Sequence, residues 1–150
     1  MNEDIKDILD SRLSNFKDET LSKKIIENYN FLISLGYSKE EVIKMTKTLP
    51  TIYGLSIENI RQKVDYYDSI GLKQIVVEDT RQLIQSTALS YARYEYYTKE
   101  HGMDIDMSNY LLLFMGNKQF EKRFNITKKQ LLGKYNYQRD MEENNRARNI

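Results

Sequence analysis

The chain has 150 residues, of which 30% are charged, with a net charge of +1 and no cysteine. This length suits one domain with its own core, and the lack of cysteine excludes disulfides, thiolate metal sites and cysteine nucleophiles. The longest apolar run, Tyr110 to Met115, is too short to span a membrane, and the acidic start does not resemble a signal or transit peptide, so we expect a cytoplasmic protein.

Two amphipathic helices are predicted at the start of the chain. The first runs from Asp4 to about Lys17 and the second from about Thr20 to Leu35. Their apolar positions are Ile5, Ile8, Leu9, Leu13 and Phe16 in the first, and Leu21, Ile25, Tyr29 and Leu32 in the second. Since neither face can be buried alone, we expect the two helices to pack on each other and on the helix that follows.

The segment from Leu35 to Leu72 predicts a helical hairpin. Ser38 and Glu41 have the spacing of a capping box, which marks a helix start. Pro50 lacks a backbone N–H and disfavours helix in the residue before it, so this helix should end near Thr48.

The second helix of the hairpin follows a short turn over residues 51–54. Ser56 is its predicted N-cap, and Gly71 is expected to close it in a left-handed conformation. The apolar positions of this helix are Ile57, Ile60, Val64 and Tyr67. Glu40 is expected to pair with Lys44 on the exposed face of the first helix.

The hairpin recurs imperfectly along the chain. When Leu49 is laid on Leu83, Ser56 falls on Ser90, and Ile84 stands where the proline should be. In the other direction, Leu35 and Gly36 fall on Ile70 and Gly71. We therefore predict a half unit, a full unit and a shortened unit, over about residues 21–37, 38–72 and 73–102.

These motifs resemble the repeat of the mitochondrial transcription termination factor (mTERF) family. The resemblance is carried by GYSKEEVI, then LP, LS and a helix that ends in IGL, and it covers roughly residues 21–102. It implies an all-α fold, a short right- or left-handed stack of helical hairpins. It also implies nucleic-acid binding along the concave side of that stack.

The segment from Lys73 to Gly102 is predicted to be helical, including Ile75 to Val77, since no partner strand is evident. Four tyrosines then form a dense band at Tyr91, Tyr94, Tyr96 and Tyr97. Their rings could stack on exposed bases, or they could fill grooves between helices. Arg93 could lie over the ring of Tyr97.

No catalytic motif is present, so we expect no enzyme activity and no cofactor. His101 with Asp104 and Asp106 could be drawn as a metal site, but a helix end and a solvated turn explain the same residues. Glu41 is explained by the capping box, which leaves no pair of carboxylates for acid–base chemistry.

The last region is predicted to cap the stack. Asn109 to Met115 reads as a short apolar helix, followed by a helix, turn, helix pair over residues 118–124 and 127–135. The residues expected inside are Phe120, Phe124, Ile126, Leu131, Leu132 and Tyr135. We predict one domain over residues 1–135, with a cap at 108–135, and a flexible polar tail at 136–150.

Charge is unevenly distributed along the chain. Residues 1–107 carry 14 Lys and Arg against 18 Asp and Glu, whereas residues 108–150 carry 9 against 4. The first hypothesis is therefore binding of DNA or RNA through phosphate contacts. The residues expected to make them are Lys44, Lys47, Arg81, Lys118, Lys122, Arg123, Lys128, Lys129 and Lys134.

The alternative hypothesis is a protein-interaction module, an adaptor or inhibitor that uses a tyrosine-rich stacked surface. Neither a membrane nor a small-molecule substrate is expected as a partner.

Overall fold

A computed structural model describes residues 19–148, with side chains from Lys23 onward, and this part of the chain contains no strand. The helices are α1 (Glu19–Ser34), α2 (Lys39–Thr48), α3 (Ile57–Ser69), α4 (Ile75–Glu78), α5 (Thr87–Glu95), α6 (Asn117–Phe124), α7 (Lys128–Lys134) and α8 (Tyr137–Arg148). The predicted all-α fold is confirmed, including the helix at Ile75 to Val77. The helix predicted at residues 4–17 lies outside the described residues.

Short helices of tighter or wider pitch connect these elements. Three are 3-10 helices, here named the first turn (Pro50–Gly54), the second turn (Thr80–Ile84) and the third turn (Tyr110–Phe114). A π-helix, Tyr96–Glu100, continues α5. The described chain divides after Gln85 into two compact units.

The central hairpin has the predicted helix ends. The Glu41 N–H donates to the Ser38 hydroxyl at 3.1 Å and the Ser38 N–H donates to the Glu41 carboxylate at 2.9 Å, which is the capping box. α2 ends at Thr48, two residues before Pro50. Its inner face, with Val42 and Met45, is fully buried.

Glycine ends the two long helices of the first unit. Gly36 after α1 and Gly71 after α3 have φ of +98° and +76°, a region that residues with a Cβ rarely adopt. After α3 the Leu72 N–H donates to Tyr67 O at 2.7 Å, and the Gly71 N–H to Asp68 O at 3.0 Å. These bonds form a Schellman motif, as Gly71 in the sequence predicted.

The three turns recur at equal intervals along the chain, since they begin at Pro50, Thr80 and Tyr110. The residue before each has nearly the same φ, −138°, −140° and −134°. The first hydrogen bond of each turn is 3.0 Å long in all three cases, from Ile52 to Leu49, from Gln82 to Asp79 and from Leu112 to Asn109. The residue before the turn has ψ of 78° and 67° in the first two turns but 13° in the third, which also lacks the closing bond that Leu55 and Gln85 make. The first two turns are therefore copies of one backbone motif, and the third shares its beginning.

The predicted register, which laid Ser56 on Ser90, is wrong at the second turn. The residue equivalent to Ser56 is Ser86, whose hydroxyl accepts the Ala88 N–H and caps α5. Ser90 is buried instead, with its hydroxyl donating to Thr87 O. The slip arises because α4 has 4 residues where α2 has 10, so matching the apolar residues of the two helices displaces the turn that follows.

The third turn shares the beginning of this motif, whereas the sequence predicted an unrelated cap helix. Its fourth residue, Leu113, is 1% exposed, like Leu83 at 1% and Tyr53 at 0% in the equivalent positions. Leu111, which was expected to pack under the end of the stack with the rest of the apolar run, is 64% exposed. The repeat thus continues into the second unit.

Each turn accepts a hydrogen bond from a polar side chain on a helix earlier in the chain. We call the three residues that donate these bonds the turn donors. Asn28 donates to Tyr53 O at 3.1 Å, Lys63 to Leu83 O at 2.6 Å, and Arg93 to Leu113 O at 3.0 Å. Asn28 and Arg93 also reach the carbonyl two residues further on, at Leu55 and Met115. The buried fourth position of the turn therefore always has a bonded carbonyl.

The predicted polar tail contains a helix, α8. Tyr137 packs its ring 5.3 Å from that of Tyr91, whose hydroxyl donates to Asp140 at 2.6 Å. Arg139 bonds the carbonyls of Gly133 and Lys134 at the end of α7. These polar contacts hold the start of a helix that buries no apolar side chain of its own.

We predict that Asn28→Ala lowers the free energy of unfolding by about 1–3 kcal/mol, because buried turn carbonyls lose their donor. Urea denaturation followed by circular dichroism measures this loss. Asn30→Ala on the exposed side of α1 is the matched control and should change stability by less than about 0.5 kcal/mol. Equal effects of the two substitutions would contradict the role of Asn28.

A second prediction concerns alkaline pH. Burial raises the pKa of Tyr53 from 10 to about 12, so the folded chain keeps a proton that the unfolded chain loses first. This contribution to stability is complete below about pH 10 and is lost between about pH 10 and pH 12. Tyr53→Phe should therefore lose less stability than the wild type across this same interval in urea denaturation. The same loss in both proteins would be inconsistent with this assignment.

Candidate nucleic-acid interface

Six basic residues of the second unit lie on α6 and α7, which we call the basic helix pair. Asn125 joins them in a left-handed conformation with φ of +54°, and its N–H bonds Glu121 O at 2.8 Å. Thr127 then starts α7 with a capping box, in which Gln130 both donates to and accepts from Thr127 at 3.1 and 2.9 Å. The sequence Asn-Ile-Thr thus determines this turn locally.

One side of the basic helix pair is apolar. Phe120, Leu131 and Tyr135 are buried, as the sequence predicted. Three further residues expected inside, Phe124, Ile126 and Leu132, are only half-buried. The pair is short, so its apolar side has fewer inner positions than the helical spacing suggested.

All six predicted basic residues of the second unit are exposed. They are Lys118, Lys122, Arg123, Lys128, Lys129 and Lys134.

The charges of these residues are compensated unequally. Lys134 Nζ lies 2.9 Å from the Glu100 carboxylate, and the Arg123 guanidinium lies 5.2 Å from the centre of the Phe124 ring. The pKa of Glu100 is lowered by the hydrogen bond from the Tyr135 hydroxyl and by Lys134. Within the described chain no carboxylate pairs with the other four, which are Lys118, Lys122, Lys128 and Lys129.

The predicted basic residues of the first unit are arranged differently. Lys44 Nζ lies 3.0 Å from both carboxylate oxygens of Glu78, so the predicted pair with Glu40 is wrong. Lys47 and Arg81 are exposed. α2 packs against the second turn, so these two cations lie on adjacent elements.

The tyrosine band fills the interior of the second unit. Tyr91, Tyr96 and Tyr97 are at most 8% exposed, and Tyr97 donates to Leu112 O at 2.9 Å. Tyr94 is half-buried. The groove-filling interpretation is therefore the one that the geometry supports, because buried rings present no face to a base.

Comparison with known proteins gives a match within the first half of the chain. Residues 13–78, rather less than half of the sequence, match the family model for mTERF. Over this segment the chain is similar to mTERF repeat proteins. No curated protein and no solved structure gives a significant match.

Nucleic-acid binding is typical of the mTERF family, and its members are generally binding proteins rather than enzymes. The family match ends at Glu78, whereas the turn motif of this mTERF-like protein recurs at Thr80 and in part at Tyr110. Backbone geometry thus extends the repeat beyond the segment in which the sequence reveals it.

Two of the three groups considered for metal binding, His101 and Asp106, serve other contacts. The ring of His101 packs 4.8 Å from that of Tyr96 and 5.3 Å from that of Phe124. Asp106 accepts the N–H and the hydroxyl of Ser108, and these bonds lower its pKa. Across residues 19–148 no three His, Cys, Asp or Glu side chains converge on a metal position. No helix in this range is long and apolar enough to cross a membrane.

The turn donors are the important residues that the sequence reasoning missed. Arg93 lies over the ring of Phe120 at 4.7 Å, and not over Tyr97 as predicted. A recognisable signal does exist, since each donor precedes the buried fourth residue of its turn by a similar distance, 25, 20 and 20 residues. The donors differ in type, so no single-residue motif reveals them.

Proposed function

We propose that the mTERF-like protein is a non-enzymatic nucleic-acid-binding protein that contacts phosphates through the basic helix pair and acts in the cytoplasm as a regulator of transcription or of another nucleic-acid process. The observation that supports this proposal is the set of four exposed lysines, Lys118, Lys122, Lys128 and Lys129, without carboxylate partners in the described chain. Arg123 and Lys134 lie beside them. Lys44, Lys47 and Arg81 would supply weaker contacts from the first unit.

Lysine ammonium groups attract the phosphate backbone without reading base identity. Each phosphate neutralised by a lysine releases condensed counterions, so binding weakens as salt rises. Four uncompensated lysines would give a slope of log K against log[salt] of about −4 on a DNA duplex. We therefore expect salt-sensitive affinity with little sequence selectivity.

The protein-interaction alternative depended on a tyrosine-rich surface. Since Tyr91, Tyr96 and Tyr97 are buried, the surface that this alternative would use is small. The uncompensated positive charge is the more specific feature, and it favours an anionic partner. Co-purification of a stoichiometric protein, with no nucleic acid, would reverse this preference.

The direct test is the double substitution Lys128→Glu and Lys129→Glu. We expect the affinity for a labelled DNA duplex, and for single-stranded DNA and RNA of the same sequence, to fall more than tenfold at low salt. The slope of log K against log[salt] should become less steep by about 2, because two phosphate contacts are removed. Electrophoretic mobility shift and fluorescence anisotropy measure both quantities.

Lys23→Glu with Lys39→Glu is the control, since it reverses the charge of two exposed lysines outside the proposed surface. It should leave most of the affinity intact. If the two double variants bind equally well, the proposed function is wrong.

A further prediction uses the carboxylate that compensates Lys134. Glu100→Gln keeps an acceptor for the Tyr135 hydroxyl but releases the Lys134 ammonium group. The affinity for the same duplex should rise by a factor of about 2 to 5, the range expected for breaking an exposed ion pair. Glu27→Gln, which makes the same change in net charge at an exposed position of α1, should have a smaller effect. An unchanged or lower affinity of Glu100→Gln would argue against phosphate contact at Lys134.

A further inference from the structure

Arg93 is the one charged residue among the buried side chains of the described chain, with 2% of its surface exposed. Its guanidinium donates to Leu113 O at 3.0 Å, to Met115 O at 2.5 Å and to the Asn117 side-chain oxygen at 3.2 Å. All three acceptors are neutral. Burial lowers the pKa of Arg93, as expected where a cation loses water.

The turn itself does not require a charged donor. In the equivalent position of the first unit, the neutral amide of Asn28 bonds both carbonyls, at Tyr53 and Leu55. Burial of a cation without a counter-ion is costly, so the arginine must make contacts that an amide in its place cannot reach.

Those additional contacts are with α6. Beyond the third turn, Arg93 reaches Asn117, the first residue of α6, and covers the ring of Phe120 one turn later at 4.7 Å. α6 has no side-chain cap of its own, because Gly116 occupies the N-cap position where Ser56 and Ser86 cap α3 and α5. Arg93 is thus bonded to the start of the helix that carries Lys118, Lys122 and Arg123.

We propose that Arg93 is a positioning residue for nucleic-acid binding, which fixes α6 on the third turn and so sets the spacing of its cations against successive phosphates. This inference rests on the proposed function. Arg93 makes no phosphate contact itself, since it is buried. Its effect is to let the α6 cations bind in register with those of α7.

The experiment compares Arg93→Lys, Arg93→Gln and Asn117→Ala with the wild type in titrations of the labelled DNA duplex at several salt concentrations. Arg93→Lys keeps the charge and Arg93→Gln keeps an amide donor for the turn, but neither spans the turn and α6. We expect both variants to make the salt slope less steep by roughly 1 to 2, because one or two α6 cations no longer reach a phosphate. Asn117→Ala, at an exposed position, removes only the contact to α6 and should lower the slope less.

Asn28→Ala is the matched control, because it breaks the equivalent bonds in the first unit without touching α6. It should reduce stability while leaving the salt slope at the wild-type value. Circular dichroism at the titration temperature confirms that each variant is folded, and Asn117→Ala provides the readout if the Arg93 variants unfold.

The outcomes separate the two proposals. A wild type that shows no salt-dependent binding refutes the proposed function, and this inference with it. A wild type that binds, with Arg93→Gln or Asn117→Ala retaining its full salt slope, refutes the positioning role alone. If the slope becomes less steep by the same amount in Asn28→Ala, Arg93 contributes only to general stability, and the inference is overturned.

Discussion

The hydrogen bond from a helix side chain to the carbonyl of a 3-10 turn is the interaction on which this repeat depends. The fourth residue of each turn is buried, at Tyr53, Leu83 and Leu113, so its carbonyl has little access to water. An unbonded carbonyl there would cost free energy comparable to a lost hydrogen bond. An amide, an ammonium group and a guanidinium meet the same requirement at successive turns. The position of the donor is therefore constrained more tightly than its residue type.

The same constraint connects packing to the charged surface. In the second unit Arg93 bonds the third turn from inside, while Tyr97 bonds Leu112 O and Tyr135 bonds Glu100. These polar groups of the interior bond one another, and Lys118, Lys122, Lys128 and Lys129 of the basic helix pair take part in none of these bonds. In the first unit, by contrast, Lys63 and Lys73 donate to the carbonyls of Leu83 and Leu35, and Lys44 is paired with Glu78. Lys44, Lys63 and Lys73 are thus bonded within the fold, whereas Lys118, Lys122, Lys128 and Lys129 are not paired with a carboxylate.

Much of the fold could be predicted from the sequence where the cause is local. Ser38 with Glu41, Pro50 and Gly71 determine helix ends through backbone bonds within a few residues, and all behave as predicted. The exposure of the predicted basic residues also follows from helical spacing. The resemblance to mTERF repeats agrees with the family match over residues 13–78.

Long-range partners could not be read in the same way. Lys44 and Glu78 lie on different helices, as do Lys134 and Glu100, so no periodicity within one helix points to either pair. The third turn was missed because its sequence, YLLLF, shares almost nothing with PTIYG of the first, although both are 3-10 helices with a buried fourth residue. The ring that Arg93 contacts depends on where α6 packs, and the local sequence around Arg93 does not determine that position.

The similarity of the helix starts after the first and second turns has a consequence for how such a chain can grow. Ser56 and Ser86 have almost the same backbone angles, φ −71° and ψ 146° against φ −68° and ψ 136°. A cassette from Ser56 to Gln85 therefore begins and ends at interchangeable junctions. Duplication or deletion of that cassette joins two backbone segments of the same conformation, so the number of repeats can change by recombination without a new type of connection. Shortening of the helix inside the cassette leaves both junctions unchanged.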